Sequence, residues 1–385
     1  MSFIASARKY RPQRFIEVLG QAGTVRTLQN TIRYNRLGNC YLFCGPRGTG
    51  KTTLARLLAK ALNCDDLPRQ LKDGVEKPEP CGTCNECQNL VKGVSTEILE
   101  IDAASHRGID DAKAIQGLAD QMPKPGKWRI VIIDECHMLT KEAQAALLIL
   151  FENPPSSFLP ILCTTNPEAL TDTIRSRCST FHIRPIPATN VEGNLKKIFA
   201  DANQTIDDSV IHQLALSSEG SLRDVQQICD QLIGSALGHC HIDDEFYESV
   251  TGQPSLQLYK RVAGTMITAM SDPAIWYEEV AAMYEEGVSL SNLFYKVISN
   301  LIRDFEIAIV SRSRQTPCVP YLSGMPHELF QSKMTLSEFH LDAFLQSWEE
   351  TAKNFGRVSE RADLEMWFIR AYYQCEWERK HSATA

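Results

Sequence analysis

The stretch Gly45-Pro46-Arg47-Gly48-Thr49-Gly50-Lys51-Thr52-Thr53 constrains the fold of this chain more than any other part of it. It fits G-x-x-x-x-G-K-[ST], a loop whose backbone N–H groups close around phosphates. Such a loop works only between a strand and a helix. The apolar run Tyr41-Leu42-Phe43-Cys44 leads into it, and Leu54, Leu57, Leu58, Ala61 and Leu62 follow at helical spacing. Glycine lets the backbone curl inward, and the N-terminus of the next helix favours negative charge. In this setting the Lys51 ammonium reaches the β- and γ-phosphates and the Thr52 hydroxyl holds Mg²⁺. A glycine-rich turn matching by chance would have no reason to sit between a strand and a helix. Residues 45–53 are therefore expected to bind a nucleoside triphosphate.

A second element completes the chemistry. In Ile130-Val131-Ile132-Ile133-Asp134-Glu135 four apolar residues end in two carboxylates. That places both acids at the C-terminal end of a buried strand, where parallel sheets bind ligands. Asp134 is expected to hold Mg²⁺ through its waters, and Glu135 to orient and deprotonate an attacking water. Two solvated acids ending a strand would be the plainer reading of this run by itself. Beside the phosphate loop, the pair implies hydrolysis and not binding alone.

The runs Tyr41–Cys44, Glu97–Ile101, Arg129–Ile133, Pro160–Thr164 and Thr180–Ile183 alternate with helical stretches at 51–63, 110–121 and 141–152. Strands this apolar, separated by helices, predict an α/β domain with a parallel five-stranded sheet covered on both faces. Ahead of it, Val25, Leu28 and Ile32 predict a helix ending at Gly38-Asn39. Pro185-Ile186-Pro187 breaks the alternation. Residues 189–240 contain three short helical segments and no strand candidate. From 243 onward the pattern is helical, with the clearest stripe at Leu290, Leu293, Phe294, Val297, Ile298, Leu301, Ile302, Phe305 and Ile309. Residues 312–334 read as a loop within this part, and the last four residues as frayed. Trp276, Trp348, Trp367 and Trp377 all fall here, as fillers of a bundle core or of an oligomerisation face. The expected division is 1–186 for the nucleotide-binding domain, 187–242 for a small helical domain, and 243–380 for an all-α domain.

Composition narrows the compartment and the partners. The chain is 43% hydrophobic and 23% charged, ordinary for a globular protein, and no apolar run suits a membrane helix or a secretory signal. The expectation is a cytoplasmic protein with no membrane partner. Net charge is −7, yet residues 1–60 carry eleven Lys or Arg against one acid, Glu17. This basic block serves nucleotide phosphates or presents a face to a polynucleotide. Of thirteen cysteines, Cys81, Cys84 and Cys87 form C-x₂-C-x₂-C, with Cys64 at the end of the helix leaving the phosphate loop. Four thiolates close a tetrahedral Zn²⁺ site with no open position, which makes it structural. An iron–sulfur reading lacks the downstream Cys followed by Pro; reduced, unliganded thiols are the other alternative. The charged, Pro-containing stretch between Cys64 and Cys81 reads as a surface excursion.

Asp134-Glu135-Cys136-His137, Ser176-Arg177-Cys178 and Gly220-Ser221-Leu222-Arg223-Asp224 together resemble the AAA+ ATPases of the clamp-loader group. Tyr10-Arg11-Pro12 with Phe15, Gly20-Gln21 and the cysteine cluster narrow the resemblance to the ATPase subunits of bacterial DNA polymerase III clamp loaders. The motifs match strongly through 225; beyond it only helical character and length agree. The resemblance implies an AAA+ fold with a helical lid and an all-α collar. It implies ATP with Mg²⁺, and as partners other clamp-loader subunits, a sliding clamp and primed DNA. Thr165 then falls at the position that senses the γ-phosphate and Arg223 at the lid arginine over it. Arg177 falls at the arginine finger that enters a neighbour's site. Each would place a donor or fixed charge where negative charge gathers during phosphoryl transfer. Tyr10, Arg11, Pro12 and Val18 match the segment that covers the adenine. Ser105, His106, Arg107, Thr140 and Lys141 occupy positions that contact DNA phosphates, though ordinary loop and cap residues would look the same. Ile149 and Asn153 depart from the family pattern, which carries lysine and glutamate there.

Other functions stay in view. Non-hydrolysing subunits of the same assembly have a degraded phosphate loop, whereas Lys51, Thr52, Asp134 and Glu135 are intact here. A replication initiator would carry a DNA-reading helix-turn-helix and a branch-migration motor a winged helix. The residues after 243 suggest neither. The chain ends soon after the third domain, so the polymerase- and helicase-binding domains of long family members are not expected within it.

Overall fold

The computed structural model describes residues 4–236, 241–269, 272–304, 346–353, 355 and 360–382. They divide into two compact units, residues 1–194 with 218–227, and residues 195–217 with 228–385.

The first unit is built on a five-stranded parallel sheet: β1 Tyr41–Cys44, β2 Ile98–Asp102, β3 Arg129–Asp134, β4 Phe158–Thr164 and β5 Ser179–His182, in the order β2-β3-β4-β1-β5. All five expected strands form. β4 starts two residues early because Phe158 and Leu159 are also buried and pair with Arg129 and Ile130. Period-2 alternation sends the strands' apolar side chains to both faces. Tyr41, Phe43, Ile130, Ile132, Ile161 and Cys163 join one core; Leu42, Val131, Ile133 and Leu162 join the other. Each fully buried branched side chain contributes about 1.5–3 kcal/mol, so burial on two faces fixes the register strongly.

The helices of this unit are α1 Ser6–Lys9, α2 Ala22–Arg33, α3 Lys51–Leu62, α4 Leu67–Lys72, α5 Asn85–Lys92, α6 Ile109–Ala119, α7 Lys141–Glu152 and α8 Asp172–Arg177. Helix α3 buries Leu54, Leu57, Leu58, Ala61 and Leu62 against the first core, and α6 and α7 bury Ala112, Ile115, Ala143, Leu147 and Phe151 in the second. Two expectations need correction. Helix α2 stops at Arg33, ahead of Gly38, because the chain turns at Asn35 with φ near 50°. The stretch after Cys64 is no simple excursion: it forms α4, and Glu79 at its far end is half-buried and bonded to the N-terminal segment.

Helices α9 Ala188–Asp201, α10 Asp208–Ser217 and α11 Leu222–Ser235 are the three expected between 189 and 240. A strand that the sequence did not suggest, Thr205–Ile206, pairs in parallel with His241–Ile242. Two residues give no alternation long enough to read. In the second unit, α12 Asp244–Thr251, α13 Leu256–Ala269, α14 Ala274–Glu285, the helical run from Leu290 and the helix Glu360–Ser382 surround one core. Trp276 and Trp367 are fully buried there, with rings 5.4 Å apart edge to face, and the Trp276 indole N–H donates to the Leu364 carbonyl at 3.0 Å. Trp348 stacks on Phe294 at 5.6 Å. Trp276, Trp348 and Trp367 thus fill a core, and Leu290 through Ile302 are buried at the stripe positions. Phe305, Ile309, the 312–334 loop and the side chain of Trp377 lie outside the described residues.

Candidate nucleotide site

The strand order decides where the site forms. β1 lies between β4 and β5, and β4 lies between β1 and β3, so their C-terminal ends meet at one corner of the sheet. Cys44 is level with Thr164 on one side and His182 on the other. The phosphate loop leaves β1 beside the ends that carry Asp134, Glu135 and Thr165.

Within the loop, Gly45 and Gly48 are required by close approach. A Cβ on Gly45 would meet the Ile183 carbonyl oxygen at 2.2 Å, and one on Gly48 would meet Ser221 Oγ at 1.9 Å. Both also have positive φ, 154° and 73°, which side chains disfavour. The Thr49 hydroxyl donates to the Pro46 carbonyl at 2.8 Å and closes the turn, whose outer residues Pro46 and Arg47 are exposed. Gly50 caps α3 with φ 104°, leaving the first N–H groups of Lys51, Thr52 and Thr53 at the helix mouth.

The charged groups of this corner lie near one another. The Lys51 ammonium, 6% exposed, donates to the Gly45 and Pro46 carbonyls at 2.9 and 2.7 Å. Burial pushes its pKa down, opposed by the nearby Glu135 carboxylate. The Thr52 hydroxyl donates to Asp134 Oδ2 at 2.8 Å, which joins the two predicted magnesium groups. Burial raises the Asp134 pKa, against the bond from Thr52. A desolvated carboxylate beside a desolvated ammonium gains from any cation or polyphosphate that enters.

Glu135 takes the left-handed conformation, φ 48° and ψ 41°. A non-glycine residue there costs about 1–3 kcal/mol and concentrates at functional positions. Its N–H donates to Asp134 Oδ1 at 3.0 Å, and its carboxylate accepts from the Thr165 hydroxyl at 3.3 Å. The sequence reading missed His137, whose Nδ1 lies 3.5 Å from Glu135 Oε2 and 3.1 Å from the hydroxyl of fully buried Thr164. Its place in Asp134-Glu135-Cys136-His137 was the available signal. Thr52, Asp134, Glu135 and Thr165 therefore form one hydrogen-bonded chain, with Lys51 held on the loop carbonyls beside it.

Arg223, on the first turn of α11, is exposed and lies next to Leu222, whose N–H donates to the Gly48 carbonyl at 3.2 Å. The Gly220-Ser221-Leu222 stretch is thus bonded directly to the phosphate loop, a contact that 174 positions of separation hid from local patterns. Arg177 ends α8, is paired with Glu152 at the end of α7, and donates to the Thr173 carbonyl at 2.9 Å. It is exposed at the surface.

Along the outer side of α3, Arg11 and Pro12 line a cavity of about 810 Å³ that reaches Thr53 and Asp134. Tyr10 and Val18 do not line it: Val18 packs on the core below, and the Lys9 ammonium lies 4.8 Å over the Tyr10 ring. Ser105, His106 and Arg107 are exposed after β2, and the Arg107 carbonyl accepts the Thr140 N–H at 3.0 Å. Thr140 is also the N-cap of α7, accepting from the Ala143 N–H at 3.2 Å, while Lys141 is exposed beside it. Ile149 is 72% exposed on the same helix.

Cys64, Cys81, Cys84 and Cys87 come together with all four sulfurs within 4.8 Å of one another. Cys64 follows α3, and Cys84 caps α5, its sulfur facing the Cys87 N–H at 3.5 Å. Further N–H groups donate to sulfur, from Cys81 to Cys64 and from Cys84 to Cys81, each at 3.3 Å. Donors aimed at sulfur favour thiolates.

Residues 20–187 match the sequence model of the family "DNA polymerase III, delta subunit". The chain is 36% identical over 259 residues to the DNA polymerase III subunit tau of Bacillus subtilis, covering 67% of this chain and 44% of that protein. It is 37% identical over 238 residues to the subunit tau of Escherichia coli, covering 62% and 36%. The chain thus spans less than half the length of either relative. Among solved structures, the Thermotoga maritima RuvB Holliday junction branch migration motor aligns with 73% of this chain and 86% of its own, at 18% identity and a TM-score of 0.46.

Proposed function

We propose that this chain, which is homologous over 67% of its length to a bacterial DNA polymerase III tau subunit and has the α/β AAA+ fold, is an ATP-hydrolysing subunit of a clamp loader. One observation carries the reading: Thr52, Asp134, Glu135 and Thr165 are joined by hydrogen bonds at the corner where the phosphate loop leaves the sheet, with the Lys51 ammonium held on the loop carbonyls within the field of Glu135 and Asp134. In this reading Lys51 balances the β- and γ-phosphates and Thr52 with Asp134 holds Mg²⁺, which draws charge off the transferring phosphoryl group. Glu135 takes the proton of the attacking water, and the Thr165 hydroxyl fixes the carboxylate in place. Arg223 closes on the phosphates from the lid, and Arg177 serves a neighbouring subunit. Residues 1–186 form the ATPase domain, 187–242 the lid and 243–380 the collar through which other subunits assemble.

ATP-dependent assembly would open a sliding clamp and grip primed DNA, with hydrolysis releasing both, because ATP and ADP favour different conformational states. Ser105, His106, Arg107, Thr140 and Lys141 share an exposed surface suited to phosphate contacts, which salt would weaken. No described helix is long and apolar enough to cross a membrane. The test is ATPase activity of the chain within its assembly, alone, with clamp, with primed DNA and with both. Stimulation greatest with both supports the reading. Activity indifferent to clamp, or strand unwinding, would assign the site to another motor.

The four cysteines suit one Zn²⁺: Zn–S bonds of about 2.3 Å separate tetrahedral sulfurs by about 3.8 Å, and here all four sulfurs lie within 4.8 Å of one another, those of Cys81 and Cys87 at 4.0 Å. With four thiolates the metal would brace the stretch and bind no substrate. Metal analysis of pure protein is expected to find one zinc per chain, and Cys84→Ser to lose it and lower Tm by about 5 °C or more. Iron, or no metal at all, would refute this assignment.

A further inference from the structure

Glu79 stands two residues before Cys81, and its carboxylate crosses to the N-terminal segment. One oxygen accepts the Phe15 N–H at 2.7 Å; the other accepts the Ile16 N–H and the Gln29 side-chain amide, each at 3.1 Å. Glu79 is itself held from both sides by Gln70, which donates to its carbonyl at 2.8 Å and accepts its N–H at 2.9 Å. The carboxylate is therefore mounted on a fixed support. Phe15 and Ile16 begin a short 3₁₀ turn, Phe15–Glu17, and Phe15 is anchored in the core at 1% exposure.

The same segment is tied a second time. The Lys60 ammonium, on the last turn of α3, donates to the Gln13 carbonyl and side chain at 3.2 and 3.0 Å. Arg11 and Pro12, which line the cavity running to Thr53 and Asp134, lie immediately before these ties. The helix that begins at the phosphate loop and the stretch that carries the cysteines thus grip residues 13–16 together.

We propose that Glu79 is a positioning residue for nucleotide binding: it sets the Arg11–Pro12 segment, which the sequence resemblance assigns to the base, along the cavity that reaches Thr53 and Asp134, without touching the phosphates. The inference rests on reading the corner as an ATP site. A carboxylate is needed because two successive N–H groups and an amide point at it, and it offers two acceptor oxygens where an amide offers one. Losing it frees one wall of the cavity while Lys51, Thr52, Asp134 and Glu135 keep their own bonds.

The test compares ATP with tripolyphosphate, which shares the phosphates and lacks the base. Glu79→Ala in the full chain is expected to raise Kd and KM for ATP about tenfold, the scale of losing charge-assisted hydrogen bonds. Its affinity for tripolyphosphate and its kcat should match the parent, and Glu79→Asp should recover part of the loss. Glu79→Gln, nearly isosteric, carries the same comparison should the alanine variant fail to fold. If the parent binds neither ligand, the ATP reading itself falls and this inference with it. If the parent binds both, then unchanged ATP affinity in the variants, or an equal loss for ATP and tripolyphosphate, overturns the role of Glu79 alone.

Discussion

A Glu135→Gln chain is expected to bind ATP as tightly as the parent and to hydrolyse it about 10²- to 10⁴-fold more slowly, the usual loss on removing a general base. The substitution keeps the side chain's size and leaves one oxygen to accept the Thr165 hydroxyl, now 3.3 Å from the carboxylate. The Glu135 N–H to Asp134 and the bond from Thr52 to Asp134 are untouched, so the arrangement proposed to hold Mg²⁺ persists. What disappears is a basic oxygen fixed by a strained backbone, a threonine and a histidine. Single-turnover hydrolysis beside equilibrium nucleotide binding separates the two effects. Parent-like kcat would remove Glu135 from the chemistry, while a parallel loss of binding would recast it as part of the nucleotide pocket.

Arg177→Ala should cost about 10³-fold or more in assembled protein, the lower range for an arginine finger, with little change in the isolated chain. In this chain Arg177 pairs with Glu152, both side chains about a third exposed. An exposed pair of this kind contributes about 0–1 kcal/mol, so a neighbour's γ-phosphate can displace Glu152 at small cost. Mixing Arg177→Ala subunits with Lys51→Ala subunits is the decisive form. One supplies an intact phosphate loop and the other an intact arginine, so mixed assemblies should recover activity that neither has alone. No recovery in mixtures that demonstrably assemble would confine Arg177 to its own chain.

The parts of this site that were legible in the sequence are those in which chemistry and local geometry coincide. The phosphate loop announces itself because glycines, lysine and threonine must follow one another on a continuous backbone. Asp134 and Glu135 were visible because a run of buried β-branched residues can end in acids only at a sheet edge facing a ligand or solvent. The cysteines were visible because ligand spacing on a short turn is nearly fixed. By contrast, the two-residue pairing of Thr205–Ile206 with His241–Ile242 has no period to detect. Tyr10 and Val18 were assigned to the base by position in a motif alone; the structure places the Lys9 ammonium over the Tyr10 ring and packs Val18, partly buried, on the core.

By itself the sequence determined a parallel α/β domain carrying a phosphate loop and an acidic pair, followed by helices, with four thiols set to meet. These follow from periodicity, apolar burial and spacing, all properties of short stretches. Only the tertiary structure decided that Leu222 bonds to Gly48, that His137 and Thr164 support Glu135, and that Glu79 holds Phe15 and Ile16. Apart from the His137–Glu135 approach, which spans two positions, those contacts join residues 27 to about 170 positions apart. Their partners are chosen by which surfaces remain facing one another once the two cores have packed, and no local pattern encodes that.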